Sequence, residues 1–125
     1  THDQSSAASD VYKRQQHVLS ELHASPDGGA AWSAERDRLA SLLTARRSKF
    51  ISACERLGVA VNPSHDGFFA WYECADPASI AEACADHHVY LVPLTGGVRI
   101  GLCAVPESQV ERVAEALANA VEAVR

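Results

Sequence analysis

One apolar stripe, running from Trp32 to Leu57, constrains this chain more than any other feature. Trp32, Leu39, Leu43, Phe50, Cys54 and Leu57 recur at steps of seven, four, seven, four and three. That spacing gathers side chains along one side of an α-helix and predicts a long helix over residues 30–57. The other face carries Glu35, Arg36, Arg38, Arg46, Arg47 and Lys49, which reads as a solvated surface. Gly58 is placed to end the helix, because glycine enters left-handed backbone without a steric penalty. No other segment predicts a helix of equal length, so the remaining elements must pack against part of this one.

Those elements follow from local pattern. Val18, Leu19 and Leu22 suggest a short amphipathic helix over residues 16–24. Ser25-Pro26-Asp27-Gly28-Gly29 breaks it. After Gly58, Val59-Ala60-Val61 predicts a short strand, residues 62–67 a turn, and Phe68 to Glu73 an aromatic-rich strand. Asp76 followed by Pro77 marks a helix start, with Ile80, Ala81 and Cys84 facing inward and an end near His87. Val89 to Val92 predicts a strand, Thr95-Gly96-Gly97 a turn, and Val98 to Cys103 another strand. Pro106 opens a last helix carrying Val110, Val113, Leu117, Val121 and Val124. The expected fold class is α/β, in the sense of a small α+β domain: a long helix and two further main helices packed on a small sheet.

Composition excludes several functions. A formal net charge of -5 lacks the basic stripe that a nucleic-acid surface needs. No apolar run approaches the roughly 20 residues that cross a bilayer, and the chain shows no signal peptide; a cytoplasmic location is expected. Cysteines at 54, 74, 84 and 103 have neither secretory context nor CxxC spacing, so reduced, mostly buried thiols are expected rather than disulfides or zinc. Cys84 with His87 and His88 comes nearest to a ligand set, and a structural role is the simpler reading; no metal site is expected. Ser64-His65-Asp66 are neighbours at a turn, and triad members meet in space from separated positions.

The strand Gly97-Val98-Arg99-Ile100-Gly101-Leu102-Cys103 separates two faces by alternation. Val98, Ile100 and Leu102 point toward the helices. Arg99 points the other way, flanked on its own face by Gly97 and Gly101, which leaves room over the guanidinium. Its planar fork of donors matches a carboxylate bidentately. An ordinary exposed strand arginine would show the same local pattern.

Three segments carry a wider likeness: AAWSAERDRLASLLTARRSKFISACERLG, SHDGFFAWYE and HHVYLVPLTGGVRIGLCAVPESQVERVAEALANAV. Together, in this order, they resemble the C-terminal small domain of class I aminotransferases, the aspartate and aromatic amino-acid group. The resemblance covers residues 16–125 and implies a domain of the pyridoxal-phosphate (PLP) transferase fold. It implies that Arg99 grips the substrate α-carboxylate and that Phe69, the first aromatic of the Gly-x-Phe stretch, lies near the substrate. Gly96-Gly97-Val98 stand before Arg99 where the family often has Ser-Gly, a departure that bears on the register.

The same resemblance implies an enzyme moving an amino group between an amino acid and a 2-oxo acid, with PLP as electron sink on a lysine. It also implies a homodimer. The family's PLP-binding residues belong to its large domain, so no catalytic or cofactor-binding residue is assigned here and the segment alone is expected to be inactive. Lys49 lies on the charged helix face, away from such a role. Another PLP enzyme of the same fold, or a self-contained α/β module that binds amino acids or a protein, remains an alternative. Residues 1–15 are polar and aperiodic, and Ser5 to Gln15 reads as a translated sequencing adapter. Residues 1–15 are therefore expected to be disordered and foreign, with the natural frame beginning upstream of Gln16.

Overall fold

The computed structural model describes residues 2–64 and 67–125. In chain order the elements are α1 (His2–Ala24), α2 (Gly28–Arg56), β1 (Phe69–Glu73), α3 (Pro77–Ala85), β2 (Val92–Leu94), β3 (Gly97–Gly101) and α4 (Val110–Val124), with short 3-10 turns at Leu102–Ala104 and Glu107–Gln109. The chain divides into two compact units, Thr1–Ala40 and Ser41–Arg125.

The first unit holds α1 and the opening turns of α2. Ser25 makes the turn between them: its hydroxyl donates to Leu22 O at 2.9 Å and accepts from Gly28 N at 3.0 Å. A Cβ at Gly28 would fall 2.0 Å from that hydroxyl, so the turn requires glycine. The Trp32 ring meets His23 edge-on at 5.0 Å and carries the Arg36 guanidinium 5.1 Å from its centroid. Residues 2–15, expected to be disordered, are helical and continuous with the helix expected over residues 16–24. Every residue from Ala7 to Ser20 is exposed. This helix is built from local backbone hydrogen bonds and good helix formers such as Ala, Gln, Lys and Arg, a signal that apolar periodicity does not register.

The second unit is a three-stranded antiparallel sheet, order β1-β3-β2, with helices on one face. β3 is central, pairing Phe69 with Gly101 and Trp71 with Arg99 on one side, and Val92 with Arg99 on the other. Val98 and Ile100 are buried among Phe50 of α2, Ile80 of α3, and Val110 and Leu117 of α4. Leu102 stays buried although the strand has become a 3-10 turn. On α2 the buried residues are Arg47, Phe50, Ala53 and Cys54. Leu39 and Leu57, expected on the covered stripe, are 62% and 40% exposed.

Two expected strands differ because helix ends claim their amides. Val59 N–H bonds Cys54 O at 2.9 Å, closing α2, and residues 59–61 form no strand. Val89 N–H likewise bonds Cys84 O at 3.1 Å, so β2 begins at Val92 rather than Val89. The closure of α3 puts His88 at φ 59°, the left-handed position where glycine is usual. β2 is an edge strand, and its central residue Pro93, opposite Val98, has no N–H to offer. Residues 62–67 include His65 and Asp66, which lie outside the described residues. Among the described residues no helix is long and apolar enough to cross a membrane.

Two measurements check this architecture. Replacing His88 by glycine should raise stability by about 1 kcal/mol, read by urea unfolding, because the left-handed strain disappears. At the start of α3, the Asp76 carboxylate accepts from Ser79 N at 3.2 Å and from Ser79 Oγ at 2.5 Å. These bonds hold its pKa below the usual carboxylate value. A group depressed in the folded state stabilises above its unfolded pKa and stops doing so as pH falls through its folded one. Asp76→Ala should therefore lower the urea midpoint at neutral pH, and the difference from wild type should shrink as pH falls through the acid range.

Candidate functional site

Pairing across the sheet puts Trp71, Arg99 and Val92 in one row on the face away from the helices. Arg99 is half-buried there. Its guanidinium carbon lies 4.4 Å from the centroid of the Phe69 ring, so Arg99 and Phe69, the two residues singled out in the sequence, are in contact. Of the two flanking glycines, only Gly101 leaves room for a side chain. A Cβ at Gly97 would fall 2.6 Å from Trp71 Cζ2 and 2.4 Å from Tyr72 O, and one at Gly101 would fall 3.9 Å from the Phe69 ring. The strand lacks a side chain at 97 because the Trp71 ring and the Tyr72 carbonyl occupy that place, whereas a Cβ at 101 would sit at ordinary contact distance from the Phe69 ring.

Among the described residues, the Arg99 guanidinium has neither an ion-pair partner nor a hydrogen-bond acceptor. It borders a cleft of about 390 Å³ whose walls include Phe69, Val92, His88, Tyr90, Gln109 and Arg112. Among the described residues no acidic side chain lines this cleft, in a chain of net charge -5. Such a lining attracts an anion, and the arginine fork fits a planar one best. The ring beneath adds a cation–π contact of about 0.5–1 kcal/mol.

Arg46 and Arg47 do not belong to a solvated face. Arg47 is only 4% exposed. Its Nη1 donates to Ser64 Oγ at 2.6 Å and Ser64 O at 3.2 Å, and its Nη2 to Phe69 O at 2.6 Å and Gly67 O at 3.2 Å. Arg46 Nη1 donates to Cys103 O at 2.9 Å and Leu102 O at 3.3 Å, while its buried Nε has no partner among the described residues. The signal for Arg47 was in the spacing: it stands three residues before Phe50 and seven before Cys54, on the apolar stripe itself. Grouping it with its charged neighbours hid that position.

The remaining candidates disperse. Cys84 is buried, with Sγ 3.7 Å from Ala116 O, whereas His87 and His88 are exposed. All four cysteines are free thiols; two are buried, Cys74 is half-buried and Cys103 is exposed. Burial pushes the Cys54 thiol up to about 12 and Cys84 up to about 11, so neither is a thiolate nucleophile at neutral pH. Burial, then the neighbouring Asp76, also raises Cys74. The Ser64 hydroxyl is engaged by Arg47.

The fold is found in known proteins. The crystal structure of an aminotransferase from Anaerococcus prevotii DSM 20548 matches with a TM-score of 0.80 at 21% identity. The match covers 86% of this chain and 26% of that one, so the chain spans about a quarter of that aminotransferase's length. No curated protein sequence matches. The sequence model of the family "Aminotransferase class I and II" matches residues 4–117. The chain belongs to the class I and II aminotransferase family.

The packing at Gly97 gives a direct check on the site. Gly97→Ala drives a methyl into Trp71 and the Tyr72 carbonyl, and overpacking of this kind costs about 1–3 kcal/mol. Urea unfolding should show that loss, together with an altered Trp71 fluorescence.

Proposed function

We propose that this chain is the small, substrate-closing domain of a PLP-dependent aminotransferase acting on aspartate or an aromatic amino acid and a 2-oxo acid. Arg99 grips the substrate α-carboxylate and Phe69 lies beside the bound substrate. The observation that carries the reading is a half-buried Arg99 guanidinium over the Phe69 ring, without a partner among the described residues, at the edge of a cleft that no described acidic residue lines. A carboxylate arriving there completes the fork's hydrogen bonds, and the partly dry setting strengthens them.

PLP, when bound, supplies the electron sink for amino transfer. Among the described residues no lysine lines the cleft, so the residues present fit a carboxylate and provide no anchor for the cofactor. The PLP-binding residues then belong to a large domain, and this segment alone is inactive. The exposed apolar side chains on the Arg99 face, Phe69 at 45%, Val92 at 41% and Leu94 at 45%, support a surface that other protein covers. Closing over substrate would bring that face and the bound carboxylate out of water. A cytoplasmic homodimer is the assembly this reading carries, with residues 16–125 as the domain and residues 1–15 foreign to it.

The test is transamination by the enzyme that contains this chain. Arg99→Leu should lower kcat/KM by about a hundredfold or more, the usual cost of removing one partner of a desolvated charge pair, while PLP absorbance is retained. Near-normal kcat/KM in that variant would overturn the role of Arg99.

A further inference from the structure

We propose that Arg47 is a positioning residue for the carboxylate grip, setting the Phe69 ring and, through it, the Arg99 guanidinium. The proposal rests on the carboxylate reading of Arg99. β1 is an edge strand, and along it carbonyls alternate in direction. Phe68 O faces the β3 side, where it accepts from Cys103 N at 3.2 Å. Phe69 O therefore faces outward, where no strand runs among the described residues, and Arg47 Nη2 donates to it at 2.6 Å. The neighbouring outward carbonyl, Trp71 O, accepts from Asn62 N at 2.9 Å. Arg47 and Asn62 thus take the place of the missing strand.

Burying a guanidinium is costly unless its donors are satisfied. Arg47 has no carboxylate partner among the described residues, and its acceptors are three main-chain carbonyls and the Ser64 hydroxyl. All four lie between Ser64 and Phe69, the stretch through which the chain enters β1. Bonding Phe69 O fixes the peptide plane that follows Phe69, which restrains the backbone torsion directing its ring. That ring is the surface on which Arg99 lies, at 4.4 Å. A helix side chain therefore reaches the grip through two contacts and never touches the ligand. Lysine at this position would keep the charge but lose the fork that spans Ser64 and Phe69 together.

The test uses the 125-residue chain with benzoate as the carboxylate probe. The Arg99 Nε–Hε resonance, assigned by its loss in Arg99→Lys, carries a ring-current shift from Phe69 that Phe69→Leu removes. Arg47→Lys should diminish that shift and weaken benzoate binding about tenfold, with the amide signals of α3 and α4 unchanged. Ser64→Ala, which deletes one acceptor, should move both readouts in the same direction by less. A folded Arg47→Lys chain with wild-type ring-current shift and wild-type benzoate affinity overturns the proposal. Where that variant unfolds, wild-type values in Ser64→Ala overturn it instead. Failure of the unsubstituted enzyme that contains this chain to bind benzoate overturns the carboxylate reading separately, and the ring-current shift then decides whether Arg47 sets the Phe69–Arg99 contact.

Discussion

The second unit depends on the pleat of its central strand. β3 is paired on both edges, so its backbone is fixed and its side chains can only alternate. One set, Val98 and Ile100, is sealed against the helices. The other set is Gly97, Arg99 and Gly101, where one long cation lies over the Phe69 ring beside a position at 97 that the Trp71 ring fills. A slip of one residue would exchange these sets, burying the guanidinium and exposing the core. The hydrophobic core thus holds Arg99 on the cleft face, and fold and site are specified by one alternation.

Much of this was legible in the sequence because it rests on short-range rules. The alternation around Arg99, the Asp76-Pro77 helix start and the apolar spacing of α4 each depend on a few adjacent residues, and the structure shows all three elements. The fold class and the aminotransferase family were legible from the collinear order of segments. What the sequence hid depends on partners distant along the chain. Val59 and Val89 look like strand residues until the amide of each is found closing a helix. Gly97 beside Arg99 suggests a vacancy until the fold sets the Trp71 ring against it.

Arginine shows the same limit most clearly. Arg46 and Arg47 sit in a charged run, and charged runs are usually solvated. Their guanidiniums are instead spent on main-chain carbonyls that an irregular segment leaves without strand partners. Such a use has no local signature beyond the helical position of the residue, because the acceptors lie far along the chain, from Ser64 to Phe69 for Arg47 and at Leu102 and Cys103 for Arg46. Lys49 on the same helix has no such bonds among the described residues, which illustrates how little the residue's charge alone decides.

Pro93 bears on how the Arg99 face can be covered. A third of the three-residue β2 edge offers no amide hydrogen, and the outer carbonyls of β1 at Phe69 and Trp71 are already taken. Neither rim of the sheet is a good template for another strand. The apolar side chains of Phe69, Val92 and Leu94 can then be hidden only by something laid flat upon them. Contact made that way needs no ladder of backbone bonds, so a cover of this kind would part from the sheet without breaking any of the sheet's own pairing.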